Sequence, residues 1–337
     1  MNIKTLTRLL PVIIAVIFLI ALTHYYIALF VPPGQDSSPV LVEFEPGVGF
    51  RQMAKTLKEK GLIRDLQAFV LFGRLRGSTK SVQAGEYEFN ASMPPSRILE
   101  KLEKGRVVKH TVTIPEGYNI RDIADLLDKM SLSQKDRFIT KASDKAFLAT
   151  LGIDAATAEG FLFPDTYQFA KGMSDASMIK AMVLRFKEVF TGELEMRSKA
   201  AGISINGLLT LASVVEKETG QASERPRIAR VFLNRLRLGM PLQSDPTVIY
   251  GIKDFNGNLT RKDLRTETPY NTYRKKGLPA GPIANPGIES IKAVLYPEEG
   301  QYLYFVSKND GTHYFSKTLS EHNRAVYRYQ MAGRKRN

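Results

Sequence analysis

Hydrophobic and polar positions change rhythm twice along this chain. Residues 9–31 are apolar apart from Thr23, His24 and the tyrosines, long enough at about 20 residues per span to cross a bilayer, and they predict a membrane helix. Beyond a polar linker at residues 32–39, short runs of period two alternate with runs of helical period. The segment 42–54 (VEFEPGVGFRQMA) reads as a strand, a Pro-Gly turn and an amphipathic helix, and it returns 70 positions later as 112–124 (VTIPEGYNIRDIA). The helical apolar positions Phe50, Met53, Ala54 and Leu57 are answered by Ile120, Ile123, Ala124 and Leu127. A looser third version runs through residues 87–89 and 93–102, and a further helix is predicted at 66–76. Residues 40–90 therefore read strand, helix, helix, strand.

After Ala170 the helical period dominates, with helices expected at 178–190, 208–218 and 224–238. Ser223 is the expected N-cap of the last, Pro226 is tolerated in its first turn, and Gly239 ends it. Residues 242–287 are rich in Pro, Gly and polar side chains and read as long loops, which at that length usually carry function. A helix at 288–295, a strand at 302–306, a turn through Asn309-Asp310-Gly311, a strand at 312–315 and a helix from Leu319 complete the pattern.

Two acids close the 208–218 helix. Counting back three, four and seven residues from Glu218 lands on Val215, Val214 and Leu211, whereas Glu216 leads to Ser213, Ala212 and Leu209. The two lie about 200° apart around the axis, so Glu218 is expected to share the apolar face while Glu216 points elsewhere. Burial beside the valines and the negative helix end, which stops at Thr219-Gly220, would both raise the Glu218 pKa and fit it for general acid work. Helix-end carboxylates are more often solvated or paired, and Lys217, Arg225 and Arg227 are near enough in sequence to pair with it.

The 337 residues exceed one core, so two or more globular units are expected beyond the membrane helix. Lys4 and Arg8 precede that helix, which puts the N-terminus in the cytoplasm. No clear Ala-x-Ala site follows it, so a retained anchor is favoured over a cleaved signal peptide. The net charge of +14 is scattered through helices, apart from the tail Arg334-Lys335-Arg336. That pattern points to lipid headgroups or cell-wall polymers and away from nucleic acid. The absence of cysteine removes any disulfide framework. His24, His110, His313 and His322 lack metal-ligand spacing and no phosphate-binding glycine loop is present, so neither a metal nor another cofactor is expected.

Several long motifs, in one order, then resemble a known family: LASVVEKET at 211–219, VFLNRL at 231–236, LQSDPTVIYG at 242–251, YNTY at 270–273 and GLPAGPI at 277–283. With EGFLFPDTY at 159–167 and YLYFV at 302–306, the chain is similar to the YceG-like endolytic murein transglycosylases from its anchor to its last helix. Residues 40–90 separately resemble a LysM-type glycan-binding module, with a plain α+β structural module as the alternative.

The resemblance implies cleavage of the β-1,4 bond between N-acetylmuramic acid and N-acetylglucosamine in nascent peptidoglycan, leaving 1,6-anhydromuramyl ends and ending strand elongation. It places the catalytic glutamate at Glu218. Gln243, Asp245, Thr247, Tyr270, Asn271 and Tyr273 fall in its loop motifs as candidate glycan contacts, although Asp-Pro and Asn-Thr are also ordinary turn material. Glu159 reads as a loop anchor rather than a second acid.

The fold expected is α+β: a cytoplasmic tail (1–8), a transmembrane helix (9–31), a linker (32–39), a LysM-like module (40–105) and a second strand-helix region (106–170). A mainly helical catalytic domain with a small sheet (171–330) and a basic tail (331–337) follow. The expected setting is the cell inner membrane, with a single-pass anchor, a periplasmic body, glycan strands as substrate and peptidoglycan synthases as companions. Two other functions fit the same features: a non-catalytic cell-wall binding scaffold, and a hydrolytic muramidase with Asp245 as second acid.

Overall fold

The structure, a computed structural model, describes residues 3–80 and 82–331. The chain forms two compact units, one built from the chain up to Thr111 together with Gln168–Met173, the other from Val112–Tyr167 and the chain from Ser174 onward. The architecture is mixed α+β with small two-stranded sheets. The end of the predicted cytoplasmic tail and the Arg334-Lys335-Arg336 cluster lie at the termini; residues 1–2 and 332–337 are outside the described residues.

The first unit contains α1 (Ile3–Phe30), β1 (Val40–Phe44), α2 (Phe50–Glu59), α3 (Leu66–Leu75), β2 (Gly85–Phe89) and α4 (Pro95–Glu103). The strands pair antiparallel in register Val40↔Phe89 to Phe44↔Gly85. Period two then sends Val42 and Phe44 of β1, and Tyr87 and Phe89 of β2, into one core with Phe50, Met53, Ala54 and Leu57 of α2. Gly73 lets α3 approach α2, because a Cβ there would stand 2.4 Å from the Phe50 ring. Asp65 caps α3, accepting from the Gln67 and Ala68 amides at 2.8 and 3.0 Å.

Among the described residues one helix, α1, is long and apolar enough to cross a membrane, over Leu9–Phe30. Its final turn departs from a plain span. Ala28 and Leu29 are buried in the core of the first unit, and His24 pairs with Asp65 at 3.0 Å.

The strand-turn-helix repeat is reproduced at β3 (Lys109–Thr113) and α5 (Ile120–Lys129), where Ile120, Ile123, Ala124 and Leu127 are the buried positions. Gly47 and Gly117 turn the two copies at φ 88° and 77°, a left-handed conformation that costs glycine little. The helix α5 adds a capping box from Asn119 and Asp122 that α2 lacks.

The second unit continues through α6 (Lys135–Ala142), α7 (Lys145–Thr150), the first two residues of β4 (Thr166–Ala170), whose remainder belongs to the first unit, then α8 (Asp175–Val189), α9 (Gly192–Ala200) and α10 (Ile205–Glu218). Then come α11 (Arg225–Arg237), α12 (Asp245–Gly251), α13 (Arg261–Arg265), α14 (Ile288–Leu295), β5 (Tyr304–Ser307), β6 (His313–Ser316) and α15 (Leu319–Val326). β3 pairs with β4, and β5 with β6.

Two local expectations are corrected. Ser223 does not cap α11: it lies in a 3₁₀ turn, Ala222–Glu224, and the N-cap is Glu224, whose carboxylate instead accepts from the His313 amide at 2.9 Å. The 242–287 loops are interrupted by α12, opened by Asp245-Pro246, and by α13, started by a Thr260–Asp263 capping box.

Candidate active site

The helix α10 is the axis of the second unit. Leu208 to Val215 are buried without a break, because α9, α11, α12 and α14 all pack against it. That enclosure overturns the single-stripe reading of its two acids. The Glu216 side chain is only 5% exposed; it pairs with Arg225 Nη2 at 2.8 Å and accepts from the Gly287 amide at 3.0 Å. Arg225 is thereby shared between Glu216 and, at 3.3 Å, Glu116; Arg227 pairs with Glu298 at 2.9 Å, and Lys217 donates to the Gly117 carbonyl at 3.2 Å. None of the three basic neighbours takes Glu218.

Glu218 closes α10 where Thr219 turns extended, and it opens onto a cleft of about 320 Å³. The other walls are Arg235, Leu242, Gln243, Asp245, Tyr273, Phe305 and His322. The Ser244 hydroxyl donates to Glu218 Oε1 at 2.5 Å. Burial pushes the Glu218 carboxyl up to about 7, and the negative charge of Asp245 adds to the rise. The Ser244 hydrogen bond and the Arg235 charge oppose it and lose. Near neutral pH this group can both give and take a proton.

The loop carrying Ser244 is held from below. Gln243 takes a left-handed φ of 52°, uncommon for a side chain of its size, and its amide donates to the Thr272 carbonyl at 3.2 Å. Thr272 Oγ1 accepts from the Ser244 amide at 3.0 Å and bonds Thr247 Oγ1 at 2.8 Å. Asn271 is fully enclosed; its Nδ2 donates to the Leu264 and Thr266 carbonyls at 3.1 and 2.6 Å, and its Oδ1 accepts from the Tyr273 amide at 2.9 Å. Arg235 stitches the opposite wall, donating to the Leu303 and Leu242 carbonyls, both at 2.7 Å.

Of the residues anticipated from sequence, Glu218, Gln243, Asp245 and Tyr273 meet in this cleft, and the Tyr273 hydroxyl donates to Asp245 Oδ1 at 2.6 Å. Thr247 and Asn271 do not reach it: both are buried and spend their polar atoms on the loop, which makes them scaffold rather than glycan contacts. Tyr270 also stands apart, edge-on to Tyr250 with centroids 4.8 Å apart.

Tyr250 in turn donates to Glu159 at 2.9 Å. Glu159 is buried among donors, accepting also from the Ile120 amide at 3.1 Å and Asn285 Nδ2 at 3.0 Å, which is the anchoring arrangement. Burial lifts it to about 7 as well, so a neutral-range carboxyl alone does not mark a site here; the cleft does.

Sequence reasoning missed Ser244, Arg235 and His322. Arg235 was legible in principle: it continues the buried α11 stripe of Ile228, Val231 and Phe232, where a guanidinium needs carbonyl partners. Ser244 had only its place between Gln243 and Asp245, and His322 had no local signal.

A mixed α+β chain that holds one proton-exchanging acid in a polar cleft has the site of an acid–base enzyme. The chain belongs to the YceG-like family, whose model matches residues 42–328. A Bacillus subtilis relative named endolytic murein transglycosylase is 35% identical over 320 residues, covering 90% of this chain and 88% of that protein. One of the same name from Streptococcus pneumoniae is 28% identical over 319 residues, which are 85% of this chain but 58% of that protein. A crystal structure of a YceG-like protein from Listeria monocytogenes superposes with a TM-score of 0.59 at 32% identity, covering 86% of this chain and 99% of that one.

Proposed function

We propose that this chain is an endolytic murein transglycosylase, a carbon–oxygen lyase that cuts the MurNAc-GlcNAc β-1,4 bond within peptidoglycan strands and leaves 1,6-anhydromuramyl ends. The observation that carries the reading is Glu218, a carboxyl of pKa about 7 on the wall of a polar cleft, in a family whose relatives bear that name.

In this mechanism protonated Glu218 gives its proton to the glycosidic oxygen as the C1–O bond breaks and oxocarbenium character develops. The resulting carboxylate, steadied by the Ser244 hydroxyl, removes the proton from the muramyl O6, whose oxygen closes on C1. The acid ends as it began, and no water is consumed. An ordinary glycosidase needs a second carboxyl as nucleophile or as base for water. Here the substrate brings its own nucleophile, and Asp245, held by Tyr273, supplies negative charge near the developing cation.

The long apolar helix α1 supports a single-pass anchor with a cytoplasmic N-terminus and a body outside the inner membrane. The strand-helix-helix-strand order with antiparallel β1 and β2 supports a LysM-like module that holds glycan. An anchored endolytic enzyme of this kind acts on strands as synthases extrude them, setting where elongation stops.

The test is mass analysis of uncrosslinked glycan digested with purified protein. Products lighter by one water than the hydrolytic ones, and absent with Glu218→Gln, are expected. Products carrying an added water would establish the muramidase reading with Asp245 as base, and glycan retention without new chain ends would establish a binding scaffold.

A further inference from the structure

Proton transfer by Glu218 leaves one polar wall of the cleft unused. His322 sits on α15, its backbone amide bonded to the Thr318 carbonyl at 3.0 Å and its ring stacked on Tyr304 with centroids 5.2 Å and planes 27° apart. Tyr304 also carries the Arg235 guanidinium over its ring at 5.3 Å, so the imidazole is fixed from below by a packed pair. Nδ1 of His322 is closed off from solvent and has no hydrogen-bond partner among the described residues.

That orphaned atom determines the ring's proton. Buried N–H groups without an acceptor are rarer than underused acceptors, which favours the lone pair on Nδ1 and the proton on Nε2 of this cleft-lining residue. A doubly protonated ring would put an N–H in the closed position and a second positive charge beside Arg235. Burial and that neighbour accordingly hold the His322 pKa below its usual value. Neutrality also suits the chemistry: an imidazolium on the same wall would draw the Glu218 pKa down and leave the acid deprotonated.

We infer that His322 is a substrate-recognition residue, its ring clamped on Tyr304 and its Nε2–H donated to an uncharged acceptor oxygen of the sugar lying beside Glu218. The identity of that sugar rests on the glycan-cleaving reading. The acceptor is an acetamido carbonyl or a ring hydroxyl, oxygens that a neutral donor holds without placing charge next to the acid.

Affinity for uncrosslinked GlcNAc-MurNAc glycan is measured in the Glu218→Gln background, where no turnover intervenes, and KM and kcat with Glu218 intact. His322→Phe keeps a flat ring over Tyr304 but has no donor, and His322→Gln restores one. A single hydrogen bond corresponds to about 3- to 10-fold. The Phe variant is therefore expected to lose that factor in affinity and to raise KM by the same factor, with kcat nearly unmoved, while Gln recovers most of the loss.

Repeating the measurement on de-N-acetylated glycan identifies the acceptor: the His-to-Phe difference vanishes for an acetamido carbonyl and persists for a hydroxyl. Equal glycan affinity with His and Phe at 322 would overturn the inference, as would no measurable glycan binding by the Glu218→Gln protein. Because binding is read without turnover, a wild-type protein that binds but does not cleave would sink the proposed function and leave the role of His322 decided by its own affinity difference.

Discussion

Glu216 and Glu218 stand two residues apart on one helix and share no partner: the first is locked to Arg225 at 2.8 Å, the second receives the Ser244 hydroxyl at 2.5 Å and faces a cleft. One carboxylate is paired with a buried arginine, the other is pushed toward neutrality by its surroundings.

Substitution should separate them. Glu218→Gln keeps the Ser244 hydrogen bond through its amide oxygen and should fold normally while losing at least about 100-fold in glycan cleavage. Glu216→Ala leaves the Arg225 guanidinium, whose side chain is 10% exposed, only the half-exposed Glu116 at 3.3 Å, strips the Gly287 amide of its acceptor, and should destabilise the second unit by about 3 kcal/mol. Chemical denaturation of both variants beside wild type, with cleavage assayed on the folded fraction, checks the contrast.

The pH profile should report the acid. In the proposed mechanism Glu218 starts the reaction protonated, so kcat/KM should fall about tenfold per pH unit above a pKa of about 7. Asp245→Asn removes the neighbouring negative charge and should move this limb to lower pH, whereas Ser244→Ala removes a hydrogen bond that favours the carboxylate and should move it higher. Limbs that stay together in all three proteins would assign the titration to another group.

Stability should follow the same carboxyl with a definite sign. The folded-state pKa is raised from 4.5 to about 7, so the folded protein binds more protons than the unfolded chain between those values. Its stability is fully present below about pH 4.5 and is lost as pH rises through 7. Glu218→Gln removes that dependence, so it should match wild type near pH 4 and exceed it by about 3 kcal/mol at pH 8. Denaturation midpoints at the two pH values test this.

Asn271 provides a different check. Because its amide serves only loop groups, Asn271→Ala should cost about 2–3 kcal/mol and lower kcat through displacement of Ser244 and Tyr273. A lost glycan contact would instead raise KM in an undisturbed fold, and thermal melting beside steady-state kinetics tells the two apart.

The sequence made the elements legible where period and turn chemistry act locally. The 70-residue repeat reappears in the buried quartets of α2 and α5, and α14 spans the residues its pattern announces. What failed was inference from one helix taken alone. The enclosure of α10 depends on four partners brought from distant sequence, and only those partners decide that Glu216 is buried with an arginine. The loop motifs at 242–251 and 270–273 were visible, but their division into scaffold (Thr247, Asn271) and cleft wall (Gln243, Asp245, Tyr273) follows from which side chains the turns consume. Arg235, Ser244 and His322 come from three segments that meet only in three dimensions.

The seating of Leu29 in the first unit's core has a practical corollary. A version trimmed at Val31 would surrender a packed leucine and the His24–Asp65 link together, loosening the fold of the first unit. Trimming ahead of His24 keeps both, so the last turn of α1 stays packed as part of the domain.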